Sequence, residues 1–300
     1  MLVPRRSIVF LGTPEVAAVV LRGLVLEERR IDLVVTAPDK RRGRGGSLLP
    51  TPVKTAALAA GLPVSHDPGD VLTAAGPDTL GVVVAYGRII AASTVSRLPM
   101  LNVHFSLLPR WRGAAPVERA ILAGDAETGV CIMRMDEGLD TGNVVAETRV
   151  PIGAHDTTDT LLERLARVSV PLLSSCLDLA DLTGVPQQGE STYARKIGPD
   201  EGDIDWTEPG DMVARRVRAL RCHTHLDGRR IAILEVREPT DTASLPVDAD
   251  PGTIVAGAHV RAGGDWLRLV EVRPEGRASC SGADWFRGLR DDHPVFVRVR

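Results

Sequence analysis

The sequence predicts an α/β protein: an open, doubly wound, mostly parallel sheet followed by a small β-barrel or sandwich. Three observations predict it. Up to about residue 150, short β-rich runs alternate with helical stretches, as parallel βαβ units require. Residues 80–85 (LGVVVA) are continuously apolar, as expected of a strand covered on both faces. Beyond residue 206, short strand-like runs separated by Gly and Pro at hairpin intervals replace that alternation.

Taken in order, residues 7–11 (SIVFL) are the first strand, ending in Gly-Thr-Pro. Pro14 and Glu15 suit a helix first turn, and residues 16–26 are apolar enough for a packed helix. Residues 31–37 are a second strand, 52–60 a helix ending at Gly61, and 101–104 a strand following that of 80–85. Residues 116–123 read as a helix with Pro at its first position and Gly124 after it. Two strands, 130–135 and 144–150, flank a polar loop. A long helical pattern covers 157–182, with apolar residues at helical spacing and Pro171 expected to kink or split it. Residues 186–205 are polar and rich in turn formers, the texture of a linker or strap. A helix at 209–220 and strands at 230–237, 253–255, 267–272 and 295–299 follow.

The chain has 300 residues, 44% hydrophobic and 25% charged, which predicts about two domains of ~150 residues and excludes intrinsic disorder. No apolar run approaches the ~18 residues of a membrane span, and the first residues lack the apolar core of a secretory leader. The expected location is cytoplasmic. Cys131, Cys176, Cys222 and Cys280 form no CxxC pair, so they read as free thiols and no metal site is expected. Formal net charge is −3, and both halves are near balance: 21 basic against 25 acidic residues in 1–205, 15 against 14 in 206–300. Any nucleic-acid contact must come from local patches, of which KRRGR at 40–44 is the clearest. The first strand is not followed by GxGxxG, and no GxxxxGK[ST] occurs. Dinucleotide binding and nucleoside triphosphate hydrolysis therefore lose their usual loops.

Three segments hold residues suited to chemistry. In LNVHFSLLPRWRG (101–113), Asn102 and His104 are two apart on a strand and point to one face. They read either as a satisfied histidine beside an amide, or as two donors for an oxygen that is gaining charge. In MDEGLDTGNVV (135–145), Gly138 and Gly142 let the backbone turn around Asp140, while Asp136 and Glu137 add charge. The loop is either a solvated acidic turn or the source of a carboxylate that orients the imidazole and favours its charged form. In VAYGRI (84–89), Gly87 either ends a strand or lets a flat heterocycle approach the main chain.

Together these segments resemble the methionyl-tRNA formyltransferase family. FLGTPEVA (10–17), GRG…LLPTPVK (43–54), VVAYGRII (83–90) and the long run from Asn102 to Val145 carry the resemblance, with weaker matches at TYARKI (192–197) and IDW (204–206). The SLLP run and acidic loop are shared by formyltetrahydrofolate-using enzymes more widely; WRGAAP and the basic loop narrow the match. The resemblance implies a Rossmann-like catalytic domain over 1–189, a linker over 190–208 and an OB-like barrel over 209–300 that helps hold tRNA. It implies transfer of formyl from 10-formyltetrahydrofolate to the methionine amine on initiator methionyl-tRNA, with no metal, membrane or obligate protein partner. Asn102, His104 and Asp140 match the catalytic positions. Tyr86, Gly87, Ser106, Leu107, Leu108, Pro109, Asp136 and Gly138 match the donor site. Arg41, Arg42, Arg44, Arg110 and Arg112 are the expected tRNA contacts, Arg44 standing in the insertion loop of 39–52. Phe105 and the pair Gly46-Ser47 depart from the family's small residue and lysines. A formyltransferase acting on a small amine, or a formyltetrahydrofolate hydrolase, would share the three catalytic residues but not WRGAAP, the basic loop and the barrel. A non-catalytic RNA-binding module would leave those three residues unexplained.

Overall fold

The apolar run at the start of the chain forms β1 (Ser7–Gly12), buried along its whole length. The computed structural model describes residues 6–42, 46–289 and 294–297. After β1 come α1 (Glu15–Leu26), β2 (Ile31–Val35), β3 (Lys40–Arg42), β4 (Ser47–Leu49), α2 (Pro52–Ala59), β5 (Val64–Ser65), α3 (Asp70–Ala74), β6 (Thr79–Val84) and α4 (Ala92–Val95). Next are β7 (Met100–His104), β8 (Arg112–Gly113), α5 (Pro116–Ala123), β9 (Glu127–Arg134), β10 (Val144–Pro151), α6 (Thr158–Leu177) and β11 (Tyr193–Ala194). Their main sheet has the order β10-β9-β7-β6-β1-β2-β5. The five strands from β7 to β5 are parallel, and β9 and β10 run antiparallel at one edge. Rossmann-like architecture follows from strands that are apolar on both faces and helices that cover them.

Two expectations change here. Residues 157–182 form one shorter helix, Thr158–Leu177, with Pro171 inside it and no split. Pro171 lies on the exposed face, so the carbonyl it leaves unbonded can be hydrated, while Val170, Leu173 and Cys176 keep the other face buried. Residues 190–208, expected as a linker, carry β11, which pairs parallel with β8, and a 3₁₀ turn at Pro199–Gly202. The backbone of the 109–115 loop needs partners, and this segment supplies them: Thr192 and Ala194 bond to Pro109, Trp111, Arg112, Ala114 and Ala115. The insertion loop also holds structure that residue pattern did not reveal, the β3–β4 hairpin.

The chain divides into two compact units. The first contains Met1–Val117, Ala126–Ile152 and Asp159–Arg195; the second contains Glu118–Asp125, Gly153–Thr158 and Lys196–Arg300. In the second, α7 (Gly210–Ala219) precedes β12 (Cys222–Leu226), β13 (Arg229–Arg237), β14 (Ile254–Val255), β15 (His259–Ala262), β16 (Asp265–Pro274), β17 (Cys280–Ser281) and α8 (Gly282–Arg287). The antiparallel sheet has the order β12-β13-β16-β15-β14, with β17 on β16. Val297 bridges to His225 of β12, and Val295 bridges to Thr253 beside β14. One segment thus joins both edges and curls the sheet toward a barrel. Phe296, between those bridges, stacks on Trp206 at 5.3 Å and on Trp285 at 5.6 Å and fills the interior.

Candidate active site

The site is built on β7. Asn102 and His104 project from one face of that strand, and His104 is only 5% exposed. Because β9 runs antiparallel to β7, with Leu101 opposite Arg134, the loop after β9 starts near the amino end of β7. It folds back along the strand to deliver Asp140. Asn102 Nδ2 donates to Asp140 Oδ1 at 3.4 Å, and His104 Nδ1 lies 3.7 Å from Asp140 Oδ2. The three residues that sequence reasoning grouped are therefore together in space.

Neighbouring backbone fixes the orientation of each. His104 Nε2 lies 2.9 Å from the carbonyl oxygen of Trp111; a carbonyl can only accept, so Nε2 carries hydrogen in the neutral ring and Nδ1 is left to gain or lose the proton. Asp140 Oδ2 accepts the Gly113 N–H at 2.8 Å. Trp111 (φ +62°) and Asp140 (φ +53°) both occupy the left-handed region, which costs an ordinary residue roughly 1–2 kcal/mol. Their surroundings hold them there. Trp111 N–H donates to Thr192 Oγ1 at 2.9 Å, and the carbonyls of Asp140 and Gly142 each accept from Gln187 Nε2 at 2.8 Å. A Cβ on Gly142 would lie 1.7 Å from the Arg134 carbonyl oxygen, so the turn behind Asp140 admits only glycine.

The residues expected at the donor site divide into two kinds. Tyr86 and Gly87 follow β6, whose last residue Val84 pairs with Val103 of β7. The Tyr86 ring is buried among Val9, Leu11, Leu33, Val83 and Met100, and burial pushes its phenol above the ordinary range despite Arg88 nearby. Its carbonyl accepts from Thr13 Oγ1 at 3.0 Å, and Gly87 (φ +74°) is exposed with open space where a Cβ would stand. Only the main chain here is available to a ligand. Asp136 Oδ1 accepts from Gly138 N at 3.0 Å and Thr141 Oγ1 at 2.7 Å, shaping the loop. Ser106 Oγ donates to the Arg110 carbonyl at 2.6 Å. Leu108 is buried against Cys131 and Met133, Leu107 packs against Gly129, and the Leu108–Pro109 peptide is cis. The SLLP run is thus a turn packed beside the site, on residues that pair with Asn102 and His104 across the β7–β9 ladder.

Of the expected tRNA contacts, Arg41 and the backbone of Arg42 lie on β3, and Arg41 is exposed. Arg44 lies outside the described residues. Arg110 is exposed, with its guanidinium 4.5 Å from the Trp111 ring centre. Arg112 is half-buried and donates through Nε and Nη2 to Gln187 Oε1 at 3.0 and 2.6 Å. Gln187 and Thr192 escaped residue-level reading because their segment has the polar composition of a linker. Only the TYARKI match pointed toward it. Beside His104 on the neighbouring strand β9, Cys131 is fully buried, and burial pushes its thiol up to about 12. Among the described residues no group of three or more His, Cys, Asp and Glu side chains could hold a metal ion, and no helix is long and apolar enough to cross a membrane.

Comparison with known proteins identifies the family. The formyl transferase family matches residues 5–177, and the formyl transferase C-terminal domain matches residues 196–290. Methionyl-tRNA formyltransferase of Symbiobacterium thermophilum is 44% identical over 302 residues, covering 94% of this chain and 92% of that protein. The protein of the same name from Xylella fastidiosa is 42% identical, covering 95% and 98%. Among solved structures, HypX from Aquifex aeolicus in complex with tetrahydrofolic acid has a TM-score of 0.67 at 15% identity, over 94% of this chain and 47% of that one. Methionyl-tRNA formyltransferase from Clostridium thermocellum has a TM-score of 0.57 at 14% identity, over 78% of this chain and 94% of that one. At such identities the solved structures speak for the fold. With two family domains in series over most of its length, and relatives aligned nearly end to end, the chain belongs to the formyl transferase family.

Proposed function

We propose that this protein is a methionyl-tRNA formyltransferase, moving the formyl group of 10-formyltetrahydrofolate to the amino group of methionine on initiator tRNA. The convergence of Asn102, His104 and Asp140 on one face of β7 carries the formyl-transfer part of the reading. The names of relatives at 42–44% identity over nearly the whole chain support it.

The neutral methionyl amine attacks the formyl carbon, and the carbonyl oxygen gains negative charge. One N–H of Asn102 leans on Asp140, leaving the other for that oxygen; protonated His104 adds a second donor through Nδ1. As the new C–N bond forms, the amine proton passes to Asp140, directly or through water, and Asp140 returns a proton across the 3.7 Å gap to His104 once that ring has protonated the leaving N10. The tetrahedral intermediate collapses, the C–N10 bond breaks, and N10 of the leaving tetrahydrofolate takes up a proton from His104. The pterin lies against the main chain of Tyr86 and Gly87 and the loop of Asp136 and Gly138. Arg41, Arg42, Arg44 and Arg110 attract the acceptor-stem phosphates.

The test is formyl transfer from 10-formyltetrahydrofolate to charged initiator tRNA, beside uncharged tRNA and free small amines. Product is expected with charged tRNA alone. Efficient formylation of a small amine, with charged tRNA left unmodified, would refute the reading.

A further inference from the structure

Gln187 lies in the segment leading to β11, outside the three residues given chemical roles, yet its amide is fully engaged. Nε2 donates to the carbonyls of Asp140 and Gly142, each at 2.8 Å, and Oε1 accepts from Arg112 Nε and Nη2 at 3.0 and 2.6 Å. A side-chain amide has two N–H groups and two lone pairs, and all are used. Arg112 is bonded covalently to Gly113, whose N–H donates to Asp140 Oδ2 at 2.8 Å. The contacts close a ring: Asp140 carbonyl, Gln187 amide, Arg112 guanidinium, Gly113 N–H, Asp140 carboxylate. Asp140 is thereby held at both ends while its backbone sits at φ +53°, a conformation an unrestrained aspartate leaves readily.

We propose that Gln187 and Arg112 are positioning residues that hold the Asp140 carboxylate toward Asn102 and His104. This rests on the proposed role of Asp140 in formyl transfer. Neither residue then contacts the donor, and the task of Arg112 is to orient Gln187 and not to bind a phosphate. Glutamine is the side chain that fits. Glutamate keeps the shape but turns carboxylate oxygens toward two carbonyls, and asparagine is one methylene too short to span from Arg112 to both.

Kinetics of Gln187→Ala, Gln187→Glu, Arg112→Ala and the Gln187→Ala/Arg112→Ala double variant test this, with circular dichroism and thermal melting to verify the fold. Each single change is expected to lower kcat about 10- to 100-fold while KM for donor and tRNA stays within about twofold. The double variant should be no worse than the poorer single, because both break one ring. Gln187→Glu, which preserves volume, keeps the test valid if Gln187→Ala fails to fold. A raised KM for tRNA with kcat retained in Arg112→Ala would overturn the proposal, as would multiplicative losses. Hydrogen exchange at the Gly113 N–H reads the ring without any turnover: protection should fall in Gln187→Ala, and unchanged protection refutes the ring. A wild-type enzyme that does not formylate tRNA would instead sink the functional reading.

Discussion

At the residue scale, the chemistry depends on polar side chains whose unused atoms face one another. His104 is committed at Nε2 to the Trp111 carbonyl, and Asp140 Oδ2 to the Gly113 N–H. The atoms left over, His104 Nδ1 and one Asn102 N–H, are the donors proposed for the oxyanion. Loss of a single preorganised donor costs roughly 10²–10³ in turnover, so Asn102→Ala and His104→Ala are each expected to fall by that factor, with tRNA binding retained. Steady-state kinetics and filter binding check it; near-normal turnover in both would remove these residues from the reaction. Cys131, next to His104 across the β7–β9 ladder, is no rival nucleophile, since burial keeps it as the thiol near neutral pH.

At the element scale, close approach explains which secondary structure survives its own poor propensity. α6 tolerates Pro171 because its opposite face is buried, and at Gly23 of α1 a Cβ would lie 2.5 Å from Val170 Cγ2. The second unit instead depends on an aromatic stack. Aromatic residues are only 3% of the sequence, yet Trp206, Phe296 and Trp285 stack in one core with Phe286 packed against it, so a lost ring leaves a large volume to refill. Phe296→Ala is expected to destabilise this unit by about 3–5 kcal/mol, read as a lower midpoint in urea unfolding. A loss below about 1 kcal/mol would mean that the core collapses around the cavity.

At the scale of the whole molecule, charge is nearly neutral at −3, so stability and tRNA attraction both rest on local groups. His223 is one of them. Burial, with help from Arg230 and His225 and against the pull of Asp203, holds its imidazole below the ordinary value of 6.5. The unfolded chain then binds the proton more readily than the folded one. The stabilisation is therefore complete above about pH 6.5 and declines as pH falls from there toward the depressed folded value. The unfolding temperature should drop between about pH 7.5 and 5.5, and His223→Gln should flatten that drop. Parallel curves for the two proteins would assign the acid sensitivity to other groups.

Much of this was legible from residues alone. Continuous apolar runs located β1 and β6, because a strand buried on both faces leaves little choice of side chain. Asn102 and His104 were predictable as a pair, because the two-residue period of a strand is local geometry. The partner carboxylate was a candidate only, since an acidic glycine loop reads the same whether solvated or catalytic. What placed Asp140 was the antiparallel course of β9 and the fold-back of its loop, clamped by Gln187 from 47 positions away. Composition could not reveal that clamp: a glutamine in a polar stretch has many ways to satisfy its amide, and which one it takes is set by contacts distant in sequence.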